Sequence, residues 1–324
     1  MNYIETAKQY TGNDVEQLFF RPMLTGASAD ELGIRILYNM PLPTTVQLLD
    51  GERIALKKYT EAGWTGGNPS TKYQKSIPME RVKAEMAFSA ADYFSLVYEH
   101  ISGRADVNMQ DLTGTILEQA ETELFKKCIR ENLRATMWLG DTSRTSGFNT
   151  FNGLLTSIKS AVEDEMITSI PLQGSPSTPE AVVEIFDDLW QQADHRLQDA
   201  RQEGQLAFYV TSQIYYLYEK YLDKMGVESS FTTTVEGRPT LAYHGIPVID
   251  VRLGAYLGST NVHKEFALLT DRRNLVLAVN TADMPGNEVR MWYNPDEMEN
   301  RQRAVFMAGT EILDERMLIY AYVA

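Results

Sequence analysis

Cysteine is nearly absent. Among 324 residues only Cys128 occurs, which excludes an intrachain disulfide, a Cys-x-x-Cys pair and a cysteine-based zinc site. Nothing here calls for an oxidising compartment. Histidine is scarce too: His100, His195, His244 and His263 are dispersed, and none falls in HExxH or another metal-ligand spacing. Long apolar runs are missing. A stretch such as Leu275 to Val279 is far below the roughly 20 residues a spanning helix needs, so no membrane association is expected. Residues Met1 to Lys8 lack the basic start and apolar stretch of a signal peptide, and cytoplasmic synthesis and use is the expectation. Positive charge is in deficit. Lys plus Arg number 30 against 44 Asp plus Glu, a net charge of -14, which disfavours nonspecific gripping of nucleic acid.

What is present is enough to fold. With 44% hydrophobic and 23% charged residues, the chain can bury a real core, and its length suggests two domains. Residues 1–43 alternate short apolar clusters with Gly and Pro breaks, too fragmented for a core of their own. Thr44 to Lys58 reads as a hairpin with a turn at Asp50-Gly51 and a second strand through Ile54, Ala55 and Leu56. A Gly-rich loop around Trp64 follows, and Lys72 to Met79 is extended again. Residues 50–83 therefore read as a long two-stranded arm, holding seven Lys or Arg and four Asp or Glu. An isolated two-stranded arm is marginal in water and needs support from outside its own domain.

From Met109 to Leu139 apolar residues step by three or four, which predicts an amphipathic helix about 45 Å long. Its apolar stripe is placed through Ile116, Ala120, Leu124 and Cys128, and Gly140-Asp141 ends it. Gln173 to Pro179 is a linker whose Thr178-Pro179 starts a helix through about Arg201. Ala207 to Val210 is a buried strand, Ser212 to Met225 an aromatic-rich helix, and Ile246 to Val251 a strand. Residues 274–279, 289–293, 303–312 and 317–323 then read as successive strands. The fold class is α+β.

Little points to catalysis. Cys128 lies among the helix's apolar positions and reads as a small buried hydrophobe. Gly66 to Lys72 lacks the Gly-Lys-Ser/Thr of a phosphate loop, and no Gly-x-Gly-x-x-Gly or Gly-x-Ser-x-Gly is present. The carboxylate runs Glu163-Asp164-Glu165, Asp187-Asp188 and Asp296-Glu297 read as solvated faces. Tyr215, Tyr216, Tyr218 and Tyr221 fall on helical spacing and read as packing residues. No enzyme, no cofactor and no metal are expected.

The order of elements carries more. A fragmented N-terminal segment, a long two-stranded loop, one very long helix, a compact mixed domain and a return to strands resemble the Hong Kong 97-type major capsid protein of tailed double-stranded DNA phages. Local strings agree: Gly140-Asp141 followed by Gly153-Leu154, Gly245-Ile246-Pro247-Val248, and Thr270 to Leu277 resemble passages of that family, and Arg303 to Tyr322 resembles its closing strand pair. The resemblance implies an N-terminal arm at 1–49, an E-loop at 50–83, a P-domain at 84–172 with its spine helix at 109–139, an A-domain at 173–272, and a return to P-domain strands at 273–324. It implies a shell built from pentamers and hexamers of this chain, assembled in a host cytoplasm, located in the virion capsid and enclosing DNA without sequence-specific binding. Lys57, Lys58, Trp64, Lys72 and Lys75 become the assembly residues of the loop, and Ile116, Leu124 and Cys128 the core of the spine. No coiled-coil-rich scaffold segment like that of some members precedes the arm, so the expectation is either a separate scaffolding protein or a chain that is the processed form, together with a portal and decoration proteins. The alternatives are an encapsulin-type nanocompartment shell and a soluble carboxylate-dependent enzyme.

Overall fold

The computed structural model describes residues 8–11, 33–40, 44–50, 71–89, 116–226, 232–233, 239–259, 262–281, 288–297 and 299–323. Its organising strand is β14, Glu299–Ile312, fourteen residues long. Strand β5, Glu80–Ser89, pairs along one edge of β14. Strands β13, Glu288–Asn294, and β12, Leu275–Asn280, follow one another along the other edge. Strand β1, Lys8–Thr11, adds to β13, and β2, Arg35–Tyr38, runs parallel to β12, completing a six-stranded sheet.

Alternate residues of β14 point inward, with Asn300, Gln302, Ala304, Phe306 and Ala308 buried, as the period of two requires. Against this sheet packs helix α1, Ile116–Leu139. The predicted helix is present over these 24 residues; positions 109–115 lie outside the described residues.

A seven-stranded sheet has the order β6-β15-β11-β7-β10-β9-β8, where β6 is Thr168–Leu172, β7 Leu206–Val210, β8 Thr232–Thr233, β9 Pro239–Tyr243, β10 Ile246–Asp250, β11 Phe266–Asp271 and β15 Leu318–Val323. Strands β7 and β11 are buried throughout. Phe208, Val210, Ala267 and Leu269 meet helices α3, Pro179–Gln191, and α5, Ser212–Met225. Their neighbours Ala207, Tyr209, Phe266 and Leu268 join α1 and α2, Leu154–Glu163, in the other core. A strand covered on both faces needs no polar alternation, and β7 and the first four residues of β11 are apolar runs.

The structure departs from the sequence reading at several places. The strand before Asp50 is β3, Thr45–Asp50, and its partner is β4, Thr71–Ser76, with Asp50 opposite Thr71; the expected second strand at 54–56 lies outside the described residues. Residues 80–83 belong to β5 in the large sheet and not to the arm. The helix expected through Arg201 breaks after Gln191 and restarts as α4, His195–Ala200, because Asp194 caps the backbone N–H of Arg196. The strand pair expected from 303–322 does not form: β14 stays in the six-stranded sheet, while β15 crosses into the other and pairs with β11 and β6.

Candidate assembly surfaces

The two-stranded ribbon β3–β4 is rooted on the body at its base. Ile77 donates its backbone N–H to Thr44 at 2.9 Å, and its side chain is buried with Val276, Ala278 and Leu313, next to Val46 and Met79. The connection over residues 77–79 crosses β14 so closely that a Cβ on Gly309 would stand 1.9 Å from the Pro78 carbonyl oxygen; only glycine fits there. Beyond this seat, one face of the ribbon turns to the body. Val46 and Lys75 sit opposite each other on it, whereas Gln47, Gln74 and Ser76 are exposed.

Lys75 reaches down from that face. Its Nζ donates to Glu315 and lies 3.7 Å from Glu311, with all three side chains half-buried or better. Burial draws the lysine pKa down, but the hydrogen bond to Glu315 and the two carboxylate charges outweigh it and leave it raised. Burial pushes the Glu311 carboxyl up, and Lys75 offsets only part of that. Lys75, expected among the residues that touch a neighbour, is thus engaged within its own subunit. Lys72 sits in β4 opposite Leu49; Lys57, Lys58 and Trp64 lie outside the described residues.

On α1 the buried face runs through Glu121, Phe125, Ile129, Leu133 and Met137. Leu124, assigned to the spine core, is 46% exposed, and Cys128 is only partly covered. Both stand one residue, about 100°, off the true stripe. Ile116 is the first residue of α1. The doublets Leu124-Phe125 and Cys128-Ile129 admit two phases, and the register 125-129-133-137 is the one that stays apolar to the end. Glu121 went unnoticed in the sequence. It is buried against β14 and accepts from Asn300 Nδ2 and Gln302 Nε2, each at 3.4 Å.

The glycines after α1 form a backbone crossing. Gly153 donates to the Gly140 carbonyl at 2.8 Å and Thr156 Oγ1 does so at 2.6 Å, while a Cβ on Gly140 would meet the Phe151 oxygen at 2.2 Å. The spacing Gly140…Gly153 is therefore steric. Gly245, with His244, has positive φ and turns β9 into β10, as a two-residue hairpin of this kind demands. Asn274 clasps the passages 271–275 and 312–318 between the sheets: its Nδ2 donates to the Asp314 carbonyl at 2.9 Å and its Oδ1 accepts from Asp314 N at 2.8 Å. The carboxylates of 163–165 and 187–188 are exposed, and among the described residues no group of His, Cys, Asp and Glu is placed to hold a metal ion.

No family model matches the sequence, and no curated protein matches it. Solved structures do. The chain resembles a chain of the satellite phage P4 procapsid including size determination (Sid) protein, with a TM-score of 0.57 and 12% identity over 95% of this chain and 90% of that one. It resembles a chain of Gordonia phage Cozz with a TM-score of 0.55 and 13% identity, over 93% and 88%. At these identities the likeness is one of fold, and the α+β architecture described above is the Hong Kong 97-like capsid fold.

Proposed function

We propose that the chain is the major capsid protein of a tailed double-stranded DNA phage, a subunit that closes into an icosahedral shell through contacts with its own copies. The observation that carries this reading is the match in fold to a procapsid chain across nearly the whole of both chains. The ribbon β3–β4 is then part of the E-loop, α1 the spine, the six-stranded sheet the P-domain and the seven-stranded sheet the core of the A-domain. Lys57, Lys58, Trp64 and Lys72 remain the loop residues offered to a neighbour. A separate scaffolding protein, a portal and decoration proteins complete the assembly in the host cytoplasm. The net charge of -14 suits a container, since an acidic wall repels packaged DNA and lets it slide during filling. Repeated heterologous contacts close such a shell when their rotation closes.

The test is expression of the full chain, alone and together with the proteins encoded beside its gene, followed by sedimentation and electron microscopy. Closed shells, or rings of five and six subunits, are expected. Monomers alone under every condition would overturn the reading.

A further inference from the structure

Among the described residues, the ribbon β3–β4 touches the body at two places of different character. One is the apolar seat around Ile77, at the end of the ribbon where Thr44 and Ile77 meet. A seat at one end of a ribbon leaves it free to pivot. The other is Lys75, two residues further out, whose ammonium reaches Glu311 at the end of β14 and Glu315 in the turn that follows. The stem of Lys75 lies on the same face as Val46, so a long apolar side chain ends in a charge held between two carboxylates. The carboxylates are themselves held. Asn274 bonds both backbone groups of Asp314, and Leu313 N donates to the Asn274 carbonyl at 3.0 Å. The turn cannot follow the ribbon if the ribbon swings.

We propose that Lys75 is a positioning residue for assembly: its bridge to Glu311 and Glu315 fixes the direction in which the ribbon β3–β4 leaves the subunit, so that the ribbon meets a second copy of this chain already aimed. The proposal rests on the shell-subunit reading for its purpose, but the bridge and its effect on the ribbon belong to the single chain. An arm ordered beforehand loses less freedom on docking, which speeds and strengthens association without any new contact. The competing account is an ordinary ion pair near the surface, which often contributes nothing measurable. That account moves neither ribbon mobility nor assembly.

The experiment compares wild type with Lys75→Met, Lys75→Arg and the charge exchange Lys75→Glu with Glu315→Lys, all in the full chain. Amide hydrogen exchange is followed in unassembled subunits. Lys75→Met should speed exchange over 45–50 and 71–76 at least tenfold while β7 and β11 stay as in wild type, which also shows that the variant is folded. Lys75→Arg should stay within threefold of wild type, and the charge exchange should recover most of the loss. The rate of shell formation at equal concentration should fall at least tenfold for Lys75→Met and return for Lys75→Arg. Unchanged ribbon exchange in Lys75→Met, or equal assembly rates in Lys75→Met and wild type, would overturn the proposal. If wild type itself forms no shells, the capsid reading fails, and the exchange data still decide whether Lys75 aims the ribbon.

Discussion

Along α1 burial changes between adjacent residues. Phe125 is sealed between the helix and the sheet core, while Leu124 beside it is half in solvent. Phe125→Ala should therefore cost about 3–5 kcal/mol, the usual range for emptying an aromatic site in a core. Leu124→Ala should cost about 1 kcal/mol or less, since little of its surface leaves water on folding. Urea denaturation of unassembled subunits measures both, and equal midpoints for the two variants would mean that the helix is in the other phase. The presence of the helix was legible from its spacing, but its phase was not, because Leu124-Phe125 and Cys128-Ile129 each offer two candidates. Glu121 was invisible for a different reason: its partners Asn300 and Gln302 lie some 180 residues away, and a carboxylate in sequence gives no sign of being covered.

Elements were readable where they face two cores and misread where polar residues turn inward. Strand β7 announces itself as a continuous apolar run, whereas β11, Phe266–Asp271, was not read as a strand at all, because its four apolar residues end in Thr270-Asp271. Strand β14 was expected from Arg303 but starts at Glu299, because Asn300 and Gln302 face the helix to meet Glu121 and so hide four residues of strand among polar ones. Pairing partners were the hardest to read, since a strand's sequence shows its faces and not its neighbour. Thr45–Asp50 pairs with Thr71–Ser76, past the Gly-rich stretch, and the expected strand at 54–56 lies outside the described residues. The ribbon's base is anchored by Ile77, Lys75 and Thr44, none of which lies in residues 51–70. Replacing 51–70 by a short Gly-Ser link should leave the urea midpoint of the subunit within about 1 kcal/mol of wild type in stability, yet abolish shell formation. Shells at wild-type yield would remove residues 51–70 from the assembly contacts.

At the scale of the whole molecule, the chain crosses from one sheet to the other after β5 by way of α1 and α2, and again at 271–275 and 312–318; the last two crossings converge on Asn274 and Asp314. Burial works against ionisation of Asp314, but the backbone N–H and guanidinium of Arg316 outweigh it and hold the carboxyl below its usual range. A carboxylate depressed in the folded state contributes stability that is full above the unfolded value of about 3.9 and is lost as pH falls through the folded value. Asp314→Asn should therefore flatten the loss of stability between about pH 5 and pH 2, read as urea midpoints across that range. Identical slopes for variant and wild type would show that the joint does not sense acid.

The position of β15 also governs when the subunit can become itself. Strand β6 has β15 as its partner, and β11 is flanked by β15 on one side. On a ribosome adding roughly 5–20 residues per second, the stretch of about 150 residues from β6 to β15 takes on the order of ten seconds to appear. Until it does, β6 has no strand beside it and the seven-stranded sheet is split. A nascent chain therefore cannot complete the seven-stranded sheet until β15 has been made, and under the shell-subunit reading proposed above association would start only after synthesis through residue 323.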